Sequence, residues 1–157
     1  FWEALAAGDR DAALALVSPG LLDSSGVSPY GRAETLAGQF DWYEAVGWEW
    51  RFEQCAPEDR AAMCTVTASN AWSDALGVEP VGGAFAVRFA DDGIVSVSAP
   101  ASFTAPWESM VFDEFRDWVT ENHPDDAAMM WSRPLDSEIL ALFEINTERF
   151  VEAQQNQ

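Results

Sequence analysis

Apolar residues recur with two different periods along the chain. Over residues 1–17 the spacing is helical: Trp2, Leu5 and Ala6 share a face, Gly8-Asp9 interrupts it, and Ala13, Leu14, Leu16 and Val17 resume it. Asp9 suits the N-cap of the second piece. Ser18-Pro19-Gly20 ends it, Leu21-Leu22-Asp23 reads as extended, and residues 24–30 read as a loop rich in Ser, Gly and Pro. A second helix is expected over 31–46, with Leu36, Phe40, Tyr43 and Val46 on one stripe and Gly47 as its stop. From Trp48 the period becomes two. Trp48, Trp50 and Phe52 alternate with Glu49, Arg51 and Glu53, which predicts a strand. Residues 62–72 form its expected partner, Phe85, Val87 and Phe89 alternate in a third strand, and Asp91-Asp92-Gly93 predicts the turn into a fourth over 94–99. The helical period then returns. It predicts a helix over 106–121 with Val111, Phe115 and Trp118 on one face, a short one over 125–131 after His123-Pro124, and a long one over 134–154 carrying Ile139, Leu142, Phe143, Ile145 and Phe150.

Helices, then an antiparallel meander, then helices predict an α+β fold with helices over one side of a curved sheet. The 157 residues fit one domain, with a core over about 1–105 and a C-terminal helical extension over about 106–157. Charge narrows the partners. There are 27 acidic residues and 8 basic ones, all arginine, for a net −19. Such a surface repels nucleic-acid phosphates and anionic lipid, so neither is an expected partner. No apolar run approaches the ~20 residues of a membrane span. A solvated acidic shell accounts for the charge, the alternative being a cationic partner.

The two cysteines flank a hairpin. If its turn centres on Asp59-Arg60, Cys55 and Cys64 face each other across two strands, within disulfide range. They are then either a disulfide, which implies an oxidising compartment, or two packed thiols. Localisation is accordingly cytoplasmic or secreted, the latter if the pair is oxidised. Phe1-Trp2-Glu3 reads as part of a helix, so any leader would lie upstream. His123 is the only histidine, too few ligands for a zinc site, and the chain has no phosphate loop or serine elbow. No metal and no cofactor are expected.

Four stretches carry a family resemblance: Leu5-Ala6-Ala7-Gly8-Asp9 followed by Ala12-Ala13-Leu14-Ala15-Leu16; Asp23, a loop, and Gly31-Arg32; and Val87-Arg88-Phe89-Ala90-Asp91-Asp92-Gly93-Ile94-Val95. With the order of elements between them, the chain resembles the SnoaL-like branch of the nuclear transport factor 2-like superfamily. The resemblance implies a bent antiparallel sheet forming a cone, with N-terminal helices over a deep apolar cavity. Members include isomerases, cyclases, epoxide hydrolases, dehydratases and plain binding modules, so fold alone does not choose a function.

Asp23 matches by position the general-base aspartate of ketosteroid isomerases in this superfamily. At the mouth of an apolar cavity its pKa would rise toward a useful base. A turn-capping role is the alternative. The isomerase oxyanion donors are not matched: the resemblance puts Phe1 and Phe85 at their positions, and a phenyl ring cannot donate. Tyr30 could donate to a ligand oxygen, or pack on the helix start. Asn70 and Trp72, alternating with Val66 and Ala68, line the cavity if that strand face is concave. Trp50, Phe85 and Arg88 complete the candidate ligand contacts, and eight tryptophans suit an aromatic wall. The expected function is binding of a small apolar or aromatic molecule. The alternatives are a cofactor-free isomerase, cyclase or hydratase using Asp23, and a structural or partner-binding role, with homodimerisation through the sheet.

Overall fold

The computed structural model describes residues 1–22, 35–98 and 108–156. It is α+β, and among the described residues there are eight α-helices and a four-stranded antiparallel sheet in the order β1-β2-β3-β4. Three short helices open the chain: α1 (Trp2–Ala6), α2 (Arg10–Leu14) and α3 (Pro19–Leu22). Asp9 caps α2 as its sequence position suggests, its Oδ1 accepting from the Ala12 N–H at 3.0 Å. Leu21 and Leu22 lie in a helical turn, not in the extended stretch expected, because Pro19 pre-sets the first helical φ. Helix α4 (Leu36–Ala45) starts at the Thr35 cap and ends where Gly47 takes φ 66°, with the Trp48 N–H bonded to the Tyr43 carbonyl.

The sheet comprises β1 (Glu49–Glu58), β2 (Ala61–Ser69), β3 (Val81–Ala90) and β4 (Gly93–Ser98). Cross-strand rows show which face is buried. Trp50–Ala68–Val81, Phe52–Val66–Gly83, Cys55–Cys64–Phe85 and Pro57–Ala62–Val87–Val97 stack on one face, under α1, α2 and α4. The other face carries Arg51–Thr67–Gly82, Gln54–Thr65–Ala84 and Ala56–Met63–Ala86–Ser98. Register slips once in each outer pair, between Phe52 and Gln54 and between Arg88 and Phe89. The extra residue of the second slip is Val95 in β4, so Phe89 keeps the face of Phe85 and Val87 and pairs with buried Ile94, yet it is 41% exposed near the end of β3. Val17 bridges Ile94 in parallel, and Gly93 fits there because a Cβ would meet the Leu16 carbonyl at 2.8 Å. Cys55 and Cys64 are directly paired across the hairpin as a disulfide, with Cα atoms 4.0 Å apart.

The chain between β2 and β3 corrects the sequence reading. The second strand stops at Ser69, and residues 71–75 form α5 (Ala71–Ala75). Asn70 is its N-cap: Oδ1 accepts from the Ser73 N–H, and Ser73 Oγ accepts from the Asn70 N–H, each at 2.9 Å. This reciprocal capping box overrides the strand alternation. A π-helical turn (Glu108–Phe112) leads into α6 (Asp113–Asn122), then α7 (Pro124–Ser132) and α8 (Ser137–Gln155). The start expected at Pro106 lies outside the described residues. Asp136 caps α8, accepting from the N–H groups of Glu138 and Ile139, each at 3.0 Å. These C-terminal helices build a second core on α4 and α5 around Trp42, Trp72, Phe115, Met130 and Phe143. Ile145 is exposed, and Asn146 and Thr147 are buried in α8 instead.

Candidate functional site

Helix α4 has two apolar faces. Leu36 and Phe40 pack into the sheet core, Trp42 and Val46 into the C-terminal core, and Tyr43 touches both. Around Tyr43 an aromatic cluster gathers from four elements, α1, α4, β1 and β3. Trp48 and Trp50 stack with centroids 5.4 Å apart and planes 18° from parallel. Tyr43 stands edge-on to both, at 5.5 and 5.4 Å. Trp2 of α1 meets Trp50 at 5.6 Å and Phe85 of β3 at 5.1 Å. Phe1 contacts Trp2 at 4.9 Å and Phe40 at 6.3 Å. Edge-to-face and offset pairs of this kind each contribute ~0.5–1.5 kcal/mol beyond burial. Phe1 and Phe85, the two positions the resemblance marks as lost donors, therefore both lie against Trp2.

The polar atoms inside this cluster are few and unevenly satisfied. Gln39, one turn before Tyr43, is 2% exposed, and Trp2 is 6% exposed. Gln39 hydrogen-bonds the Tyr43 hydroxyl, but burial outweighs that bond and pushes the hydroxyl above the ordinary phenol range. Tyr43 is thus a neutral O–H at physiological pH. Gln39 Oε1 and the Trp2 indole N–H have no hydrogen-bond partner in the structure. A buried polar group without a partner costs ~1–3 kcal/mol, so each calls for an explanation. Arg10 Nε and Asn70 Nδ2 are also unpaired. They differ in setting: Arg10 otherwise bonds Asp41 and the Ala37 carbonyl, and Asn70 holds the α5 capping box.

The residues singled out in the sequence are only partly brought together. Trp50 and Phe85 belong to this cluster. Trp72 does not: it lies in the C-terminal core, stacked on Phe115 at 3.9 Å, with its indole N–H donated to Thr147 Oγ1 at 2.9 Å. Asn70 is committed to its cap. Arg88 is exposed and shares a cross-strand row with Glu58, Ala61 and Ser96, on the face opposite Phe85. Asp23 and Tyr30 lie outside the described residues. Trp2, Gln39, Tyr43 and Trp48 are the members the sequence reading did not nominate. A glutamine on the apolar face of α4, four residues before a tyrosine, was the signal available for one pair of them.

No helix among the described residues is long and apolar enough to cross a membrane. The chain matches no protein-family model, no curated protein and no solved structure.

Proposed function

We propose that the protein is a small-molecule binding module whose ligand sits on the aromatic cluster between α1, α4 and the buried sheet face. The observation that carries this reading is the unpartnered indole N–H of Trp2, buried in a cluster with Trp50 and Phe85. Ligand sites are mostly apolar and aromatic with a few placed polar groups, and that description fits this cluster. The resemblance of residues 5–99 to SnoaL-like proteins supports the same reading. It makes the curved sheet the wall of a cone, with α1 and α2 across its mouth.

Native mass spectrometry after incubation with a metabolite extract tests it. The expected result is a noncovalently bound mass, an unchanged extract, and loss of the bound mass in Trp50→Ala. Equal binding by Trp50→Ala would sink the assignment to this cluster. A metabolite consumed with a new product formed would replace the binding module by the cofactor-free acid/base enzyme, and Asp23→Asn would then locate its base.

A further inference from the structure

We infer that the open face of the sheet joins two copies of this chain, stacked so that the cross-strand rows of one meet those of the other in reverse order. This face lies opposite α1, α2 and α4 and carries four rows. Three begin at Arg51, Gln54 and Ala56, and the last is Glu58–Ala61–Arg88–Ser96. The two middle rows hold no charged residue and are open: Met63 is 42% exposed, and Ala56 and Ala84 are exposed too. Charge sets the face apart. Of the seven described arginines, five are ion-paired to carboxylates. Arg51 and Arg88 are the two that are not, and both stand here. Against the single Glu58 they leave the face with one positive charge, in a chain of −19. The negative excess therefore lies elsewhere, and copies that meet here avoid setting acid against acid.

Symmetry narrows the docking to two arrangements. A closed dimer has a two-fold axis, and between stacked sheets it runs either along the strands or across them. An axis along the strands keeps the rows in order and lays β1 on the partner's β4. Glu58 then meets the partner's Ser96, and Arg51 falls in a row that β4 does not reach. An axis across the strands lays β1 on the partner's β1 and reverses the rows. Arg51 then stands over the partner's Glu58, and symmetry repeats the pair. Arg88 stands over the partner's Gly82 and Met63 over the partner's Thr65, so long side chains meet short ones. Stacked sheets cross at about 30°, an offset that arginine and glutamate side chains span. Four strands ~4.8 Å apart and four rows ~6.8 Å apart cover about 500 Å² on each copy, or about 1,000 Å² in all. That is the lower limit for a specific interface, which makes the dimer a weak one with a Kd of roughly 10–100 μM.

Sedimentation velocity over a range of about 1–200 μM tests this, with a reversible monomer–dimer equilibrium expected. Met63→Asp, at the centre of the face, should abolish the dimer. Arg51→Glu and Glu58→Arg should each weaken it about tenfold, and the double swap Arg51→Glu/Glu58→Arg should restore it. Glu58→Arg is the sharpest of these. It lowers the net negative charge, so general repulsion alone would make the dimer tighter, whereas loss of the pair makes it weaker. A monomer at every concentration would overturn the inference. So would a dimer that survives Met63→Asp, since the contact would then lie on another surface. A dimer lost in Met63→Asp but indifferent to both charge reversals, or not restored by the double swap, would overturn the reversed-row arrangement. Far-ultraviolet circular dichroism of each variant shows that a loss of association is not a loss of the sheet.

Discussion

The protein has two tryptophan-rich regions, and one tryptophan in each holds its indole N–H in an opposite way. In the C-terminal core the Trp72 N–H finds Thr147. Asn146, fully buried, donates to Asp126 at 3.0 Å and to the Leu142 carbonyl at 2.9 Å, and accepts from Arg149 at 3.3 Å. Arg149 closes the network on Asp126 at 3.1 Å. In the sheet cluster the Trp2 N–H stays unpartnered, as does Gln39 Oε1 on α4. The same side chain thus serves two ends: the Trp72 N–H is satisfied where helices dock, and the Trp2 N–H is left unpartnered at a cost to stability. Buried polar groups that destabilise the free protein are expected where function needs them.

Removing Phe115, fully buried against Trp72, should have the largest effect on this contrast. Phe115→Ala should cost about 3–5 kcal/mol in urea unfolding, with loss of the near-ultraviolet aromatic signal. A cost under about 1 kcal/mol would mean that the C-terminal core is not the stabilising region. The sharper comparison sets Thr147→Val against Gln39→Leu. Thr147→Val takes the acceptor from the buried Trp72 N–H and should cost about 1–3 kcal/mol. Gln39→Leu removes a buried acceptor that has no partner, along with the bond to Tyr43, so it should cost the ligand-free protein less than Thr147→Val does. If both substitutions cost the same in thermal unfolding, the distinction between the regions fails.

A smaller effect comes from Asp136. Its carboxyl is held below the ordinary 3.8 first by the Ile139 N–H; desolvation opposes this, and the charge and hydrogen bond of Arg133 and the Glu138 N–H lower it further. A depressed carboxylate contributes stability that is present above its unfolded-state pKa and is lost as pH falls through the folded value. Asp136→Asn should therefore be slightly less stable than the parent at neutral pH. The gap should narrow below pH 3.8 and close further down, as read by far-ultraviolet circular dichroism. A gap that stays constant with pH would assign the capping contribution to geometry alone.

Local chemistry made much of the fold legible. Asp9 before α2, Gly47 after α4, Asp91-Asp92-Gly93 between β3 and β4, and the opposition of Cys55 and Cys64 were all readable because each is decided within a few residues. Asn70 and Trp72 were misread because Ala68, Asn70 and Trp72 continue the alternation while the Asn70–Ser73 cap decides the backbone. A strand pattern and a helix cap competed over the same residues, and the cap won. The site was less legible than the fold. Trp50 and Phe85 announced themselves as inward strand residues. The roles of Gln39 and the Trp2 N–H depend on which atoms lack partners, and that is a property of the assembled structure.

The slip between Phe52 and Gln54 has a consequence for counting along β1. Before it, even-numbered Trp50 and Phe52 belong to the buried rows. After it, odd-numbered Cys55 and Pro57 do, opposite Cys64 and Ala62. Glu53 thus acts as a phase change within one strand. It lets the aromatic half and the cysteine half address the same side of the sheet. Shortening the chain by that one residue would put the two halves out of step, so that either the tryptophans or the cysteine pair would turn to the other side. An exposed acidic residue therefore governs whether Trp50 and Cys55 can share a face at all.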